Sequence, residues 1–374
     1  MSRQARGPLA GALALAACLA VLAALSSGSN DGGEPAPGPG RTFLGLVAED
    51  AFGKPGEYRR QNLDRLRSTG AGIVRQTFDW ARIERAPGRY ELSFYDGYVA
   101  ALARRRLQLL PILFNPPPFR SSAPADPRRG TYPPRRPADM GEFGALLTRR
   151  YGPGGSFWRE HPDLPRLPVR SWQVWNEPNL PVYWPSGPDA GEYMTLLRAT
   201  GRGIRRVDPA AEIVTAGLPD SRLGVPLRDY VGAMYAAGGA GAFDALAVNP
   251  YGLEAEGVLD TVRTVQAIAS ANGDNPAVWV TELGWATGGP PSAFKVSERR
   301  QAALLEETVL ALARRRDDLR IRGVIYFNWR DSTPYAGGRD FFGLHTGLLR
   351  LDGEAKPALF AYKKVAKTLG LLPD

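Results

Sequence analysis

Short apolar runs alternate with longer amphipathic stretches from residue 42 to the end of the chain. Eight runs rich in β-branched and aromatic residues predict strands at 43–48, 72–78, 107–114, 171–175, 212–216, 243–249, 277–281 and 323–328. Apolar positions recur at helical spacing near 57–69, 94–106, 138–151, 190–206, 227–237, 257–271, 297–316 and 356–370. The pattern therefore predicts eight strands and eight helices in alternation.

Several of the predicted strands are apolar on both faces, as in the Leu-Leu-Pro-Ile-Leu-Phe run at 109–114. Parallel strands that are covered on both faces have this composition. Eight such strands alternating with helices predict an α/β fold, a single (β/α)₈ TIM barrel over 42–374. A doubly wound open sheet is the alternative, and the absence of a glycine-rich phosphate loop after the first strand argues against it.

The N-terminus has the composition of an export segment. Arg3 and Arg6 precede an apolar stretch that ends at Leu25, and small polar residues follow. We expect residues 1–28 to be a signal peptide or a membrane anchor, and the Gly/Pro-rich residues 29–41 to be a flexible linker. The residues before Cys18 resemble a bacterial lipobox, so cleavage, lipidation and retention all stay open. The expected location is secreted, or anchored to the outer face of a bacterial cell membrane.

The composition excludes several kinds of chemistry. Cys18 is the only cysteine, and His161 and His345 are the only histidines. Thiol nucleophiles, zinc–thiolate sites and histidine-rich metal sites are therefore excluded, and we expect neither a metal nor a cofactor. The formal net charge of +9 is scattered along the chain without a nucleic-acid-binding motif, so we expect no nucleic-acid partner. We expect a monomer.

Two strand ends carry a glutamate. Glu177 stands in Trp-Asn-Glu-Pro after the predicted fourth strand, and Glu282 stands in Thr-Glu-Leu-Gly-Trp after the seventh. In a barrel, strand ends of this kind build the active site, and strands four and seven face one another across it. Cleavage of a glycosidic bond needs two such carboxyl groups, about 5–5.5 Å apart for retention and about 6.5–9.5 Å apart for inversion.

These two motifs resemble those of glycoside hydrolase clan A, the retaining (β/α)₈ glycosidases, and are most similar to families 5 (cellulase-like) and 39 (β-xylosidase-like). The resemblance implies that Glu177 is the general acid/base and Glu282 the nucleophile. It implies that Arg75 on strand two keeps the nucleophile ionised, and that Asn176 binds the sugar 2-hydroxyl group. It further implies a hydrogen bond from Tyr251 to the nucleophile, and a sugar-binding floor formed by Trp329.

Two more residues at strand ends, Asn115 and Trp285, are candidates for contact with the sugar. Many relatives have a histidine two residues before the tyrosine that matches Tyr251, whereas this chain has Asn249. Long loops at 115–137 and 330–350 follow strands three and eight and are expected to form the walls of the cleft.

The expected function is therefore that of a retaining glycosidase that cleaves O-glycosidic bonds, with β linkages expected, in a poly- or oligosaccharide. The alternatives are a transglycosylase and a catalytically silent, carbohydrate-binding cell-surface barrel. The sequence leaves the glycan, its linkage and endo or exo action open.

Overall fold

The eight apolar runs form eight parallel strands that close into a barrel. A computed structural model describes residue 40, residues 42–334 and residues 338–372. The barrel order is β1-β10-β9-β8-β7-β6-β5-β2, closing on β1. The strands are β1 (Leu44–Val47), β2 (Ile73–Asp79), β5 (Gln108–Phe114), β6 (Ser171–Val174), β7 (Glu212–Leu218), β8 (Ala245–Val248), β9 (Ala277–Val280) and β10 (Ile321–Tyr326). The predicted barrel and all eight of its strands are confirmed.

Helices surround the barrel, and each of the eight predicted from the sequence is present. They are α2 (Glu57–Arg67), α4 (Ser93–Arg104), α5 (Pro137–Tyr151), α7 (Ala190–Arg205), α8 (Leu227–Ala236), α9 (Ala255–Ala271), α10 (Glu298–Arg314) and α11 (Pro357–Thr368). Local chemistry sets several of their first residues. The side chains of Asp189 and Ser297 cap α7 and α10, and a proline opens α11.

Several short elements were not predicted. They are the helices α1 (Glu49–Gly53), α3 (Trp80–Ile83) and α6 (Ser156–Glu160), the hairpin of β3 (Glu84–Ala86) and β4 (Arg89–Tyr90), and 3₁₀ turns at Arg129–Thr131 and Phe342–His345. All except α6 lie in connections that follow strands β1, β2, β5 and β10 at the carboxyl end of the barrel. They give the rim of the barrel a defined shape.

The interior of the barrel is filled by a small cluster of apolar side chains, separate from the larger core between strands and helices. Val47, Ile73, Leu110, Val214 and Ile325 belong to this inner cluster. Side chains fill the barrel along its axis. Any substrate-binding cleft must therefore lie above this layer, at the carboxyl ends of the strands.

The predicted signal or anchor at 1–28 lies outside the described residues, as does the linker at 29–41 apart from residue 40. Both stay predictions. Within the described part of the chain, no helix combines the length and apolar character required to cross a membrane.

Candidate active site

The two glutamates predicted at the strand ends face a common site. Glu177 follows β6 and Glu282 follows β9, three strands apart around the barrel. Their exposures are 9% and 8%, and their charges interact. Glu177 has a φ of 43° and Trp175 a φ of 74°. Left-handed backbone is costly for residues other than glycine, and it concentrates at functional sites.

Glu282 is surrounded by hydrogen-bond donors. The Arg75 Nη1 atom donates to Glu282 Oε1 at 2.7 Å, and the Tyr251 hydroxyl donates to Oε2, also at 2.7 Å. A cation and a hydroxyl group thus engage both carboxyl oxygens of Glu282.

Arg75 is held by three partners at once. It is 2% exposed and also donates from Nε to Gln173 Oε1 at 2.7 Å, and from Nη2 to Asn176 Oδ1 at 2.9 Å. Gln173 on β6 is itself fixed by a bond from Nε2 to the Thr215 carbonyl oxygen. Because Arg75 occupies the oxygen of Asn176, the Asn176 amide group is left to act towards a ligand as a donor.

Glu177 has a different environment. Its Oε1 atom accepts one hydrogen bond, at 2.7 Å, from Asn249 Nδ2. The Thr281 hydroxyl donates to Asn249 Oδ1 at 2.8 Å, which orients the amide so that its NH₂ group faces Glu177. Gly217 leaves room for this pair, since a Cβ there would lie 2.3 Å from Asn249 Oδ1 and 2.5 Å from Thr281 Oγ1.

Burial raises the pKa of Glu177 from 4.5 to about 8, and the negative charge of Glu282 adds to the increase. The Asn249 hydrogen bond and Arg75 act in the opposite direction, without outweighing burial. Glu177 therefore keeps its proton at neutral pH. Burial and the two carboxyl groups also raise the pKa of Tyr251 well above its ordinary value, so its hydroxyl stays a donor.

Two predicted sugar-binding tryptophans have other surroundings. Trp329 is fully buried, and its Nε1 atom donates to Asn62 Oδ1 on α2 at 3.1 Å. Trp285 is also fully buried and donates to the Gly252 carbonyl oxygen at 2.8 Å. Neither indole presents a face to the cleft, so neither can be the predicted sugar platform in this structure.

Asn115 lies at the end of β5, as predicted, but it organises loops there. Its side chain hydrogen-bonds Asp79, and its carbonyl oxygen accepts from the Ala81 amide at 2.9 Å. A Cβ at Gly130 would overlap Asn115 Oδ1, so the long loop after β5 packs directly on this side chain. The structure thus shows contacts of Asn115 with two loops rather than with the glutamate pair.

Besides Asn249 and Thr281, three more residues at the site were not predicted as site residues. Gln173 is fully buried and could have been noticed as the one amide between Trp172 and Trp175. Tyr183, on the loop after β6, lies close enough for both glutamates to contribute to a raised pKa, after burial. Phe327 follows β10, is partly buried and packs on the inner apolar cluster, so its ring lies above the barrel interior.

Within the described residues, no group of three or more acidic, histidine or cysteine side chains could hold a metal ion. The site's chemistry can be derived from its carboxyl, amide, hydroxyl and guanidinium groups.

No family model matches the chain, and no curated protein does. Its fold is similar to that of a family 39 glycoside hydrolase from Bacteroides cellulosilyticus WH2, with a TM-score of 0.63 and 19% identity over 89% of this chain and 64% of that one. A glucosidase from Croceicoccus marinus also has a TM-score of 0.63 at 19% identity, over 90% of this chain and 69% of that one.

A monomeric β-xylosidase from Caulobacter crescentus CB15 has a TM-score of 0.60 at 19% identity, with 87% of this chain and 68% of that one covered. The chain spans less than two thirds of the length of the Bacteroides structure. At these identities the likeness concerns the fold. The predicted resemblance to glycoside hydrolases, with family 39 among them, is confirmed for the fold of the chain.

Proposed function

We propose that the chain is a retaining glycosidase that hydrolyses β-O-glycosidic bonds. The observation that carries this proposal is the pair of nearly buried carboxyl groups with opposite surroundings in one site. Glu177 keeps its proton to about pH 8, whereas Arg75 and Tyr251 donate to both oxygens of Glu282. An acid beside a carboxylate is the combination that glycosidic cleavage requires.

In the first step, Glu282 attacks the anomeric carbon and Glu177 gives its proton to the leaving oxygen. The C–O bond to the leaving group breaks, and a covalent bond from the sugar to Glu282 forms. In the second step, Glu177 takes a proton from water, whose oxygen attacks the anomeric carbon and releases Glu282. Each group returns to its initial protonation state, and one water molecule is consumed.

The neighbouring side chains contribute to these steps by position. The free amide of Asn176 is a donor suited to a sugar hydroxyl group, and Arg75 links that amide to Glu282. Phe327, rather than Trp329, supplies the aromatic surface above the barrel interior on which the apolar face of a sugar can lie.

The names of the similar structures support a β-glycoside substrate. They include a β-xylosidase, an exo-β-1,4-mannosidase and family 1 β-glucosidase from Thermotoga maritima. We therefore choose 4-nitrophenyl β-glycosides of xylose, mannose and glucose as the first substrates.

The test compares four proteins on these substrates: wild type, Glu177→Gln, Glu282→Gln and Glu142→Gln. Glu142 is an exposed glutamate that pairs with Arg206 away from the site, so its variant is the matched control. We expect release of 4-nitrophenol by wild type and the control, and a loss of at least about 10³-fold in the two site variants. No hydrolysis by the wild type across a wide range of glycosides, or full activity of either site variant, would overturn the proposal.

Retention is tested separately. Proton NMR during the first turnovers should show the β-anomer of the released sugar before mutarotation, and a 2-deoxy-2-fluoro glycoside with a good leaving group should label Glu282. An initial α-anomer would show inversion instead.

A further inference from the structure

Four aromatic rings meet beside the glutamate pair, and the proposed mechanism uses only one of them. Tyr251 follows β8, Phe294 follows β9, and Phe341 and Phe342 follow β10. We call these four residues the aromatic cluster. The ring of Phe342 lies 5.3 Å from that of Tyr251 and 4.9 Å from that of Phe294, and the Phe341 ring lies 6.0 Å from that of Phe342.

The aromatic cluster is open on one side. Phe341 is 48% exposed, and both Phe294 and Phe342 are only partly buried. A local core that served only to hold loops together would cover its rings, as the barrel does for Trp285 and Trp329, which are fully buried. The exposure of adjacent rings is instead typical of a surface that binds a ligand.

The exposed ring of Phe341 is held in one position by its surroundings. A Cβ at Gly343 would lie 2.4 Å from the Phe341 ring, so the ring rests on the backbone of that glycine. The Leu344 amide donates to the Phe341 carbonyl oxygen at 3.1 Å, and the Ser332 amide donates to the Leu344 carbonyl oxygen at 2.9 Å. A surface held in this way can bind a rigid ring without first being ordered.

The aromatic cluster is continuous with the glutamate pair. The rings of Tyr251 and Phe342 make an edge contact with an angle of 85° between their planes, and the Tyr251 hydroxyl donates a hydrogen bond to Glu282. A ligand on the outer rings therefore lies on the Glu282 side of the cleft, next to a sugar bound at the two glutamates.

We propose that the aromatic cluster is a second sugar-binding subsite, which binds the sugar unit on the non-reducing side of the one whose bond to the leaving group is cleaved. This inference rests on the proposed function and deepens it, since it makes the substrate an oligosaccharide of two or more units. The C–H faces of a pyranose are apolar and rigid, so they suit flat phenyl rings.

The test is the ratio of two values of kcat/KM. One is measured on 4-nitrophenyl β-glycosides of xylose, mannose or glucose, and the other on the corresponding β-1,4-linked disaccharide glycosides. In Phe341→Ala we expect this ratio, disaccharide over monosaccharide, to fall about tenfold, as the loss of one stacking surface predicts. The change should appear mainly in KM, and Phe341→Trp should restore the ratio.

Phe360 provides the matched control, because it is a phenylalanine that is 64% exposed on α11. Phe360→Ala should keep the wild-type ratio. An unchanged ratio in Phe341→Ala, or an equal change in Phe360→Ala, would overturn the second subsite while the proposed function stands.

If the wild-type protein cleaves no glycoside, the proposed function fails and the subsite is tested by binding. Xylotetraose, mannotetraose and cellotetraose are then titrated calorimetrically into wild type and Phe341→Ala. Tighter binding by wild type supports the subsite, and equal binding or none overturns it.

Discussion

The same residue type stands at the ends of β6 and β9, and the structure gives the two copies opposite surroundings. Glu282 accepts hydrogen bonds from a guanidinium and a phenol, one on each oxygen. Glu177 accepts from one neutral amide and lies in a buried position that raises its pKa to about 8. The difference comes from side chains on β2 and just after β8, which only the closed barrel brings together with β6 and β9.

The two glutamates depend on each other. The charge of Glu282 is the second cause, after burial, of the raised pKa of Glu177. Two carboxyl groups in one site avoid ionising together, so fixing the charge on one helps the other to keep its proton. The hydrogen-bond donors around Glu282 therefore also affect how firmly Glu177 holds its proton.

Among changes to the neighbours of the two glutamates, the largest effect is expected when the environment of Glu282 is disrupted at Arg75. Lysine keeps the charge but cannot reach Gln173, Glu282 and Asn176 together, as the forked guanidinium does. We expect Arg75→Lys to lower kcat about 100-fold or more and to lower the melting temperature, because Gln173 loses a buried partner. Arg206→Lys, at an exposed ion pair, is the control and should change neither quantity. Wild-type kcat in Arg75→Lys would contradict this account of Glu282.

A smaller loss is expected at Tyr251. Tyr251→Phe removes one donor from Glu282 and keeps the ring, so kcat should fall about tenfold, the usual effect of losing a hydrogen bond to a charged group. Tyr235→Phe is matched in chemistry, because Tyr235, on helix α8, donates to the Asp274 carboxyl group at 3.0 Å. Steady-state kinetics should show a loss only in the first variant. Equal effects would mean that the Tyr251 hydroxyl has no special role.

The pH dependence of kcat/KM tests the role of Glu177 as the acid. Catalysis needs the protonated form, so kcat/KM should fall as the pH rises through about 8. Asn249 lowers the pKa of Glu177, and Asn249→Ala should therefore move this alkaline limb to higher pH. Asn272→Ala, an exposed helix-end amide, should leave the limb in place. A limb that stays fixed in Asn249→Ala, or moves to lower pH, would contradict the assignment.

The smallest effect concerns stability. The folded state holds the Glu177 proton more tightly than the unfolded chain, so ionisation of Glu177 costs stability progressively from about pH 4.5 to about pH 8. Glu177→Gln removes this cost. The melting temperature of the variant relative to wild type should thus increase between pH 4 and pH 9, and a constant difference would show that Glu177 titrates normally.

The barrel was predictable because each of its strands is a run of apolar residues. Such a run can be recognised in the sequence without knowing which strands lie next to it. No strand bound differs from its prediction by more than two residues, as at β7, which continues to Leu218 beyond the predicted residue 216. The short α6 and the β3–β4 hairpin were missed because elements of two to five residues have too few positions to show a period.

The glutamates were predictable for a similar reason, since a carboxyl group directly after an apolar strand is unusual. Gln173 and Tyr183 act through contacts between different strands and loops, which have no local signal. The sugar-binding floor at Trp329 was implied by the resemblance to clan A, whereas in the structure this indole is buried and donates to Asn62 on α2.

The division of roles between the two glutamates is tested most directly by azide rescue of Glu177→Ala and Glu282→Ala on a 2,4-dinitrophenyl β-glycoside. This leaving group needs little help from an acid, so both variants can react with the added anion. We predict the β-glycosyl azide from Glu177→Ala, because azide replaces water in the second step, and the α-glycosyl azide from Glu282→Ala, because azide replaces the nucleophile. Proton NMR of the products distinguishes the two anomers. The same anomer from both variants, or the anomers exchanged, would contradict the assignment of Glu282 as nucleophile and Glu177 as acid.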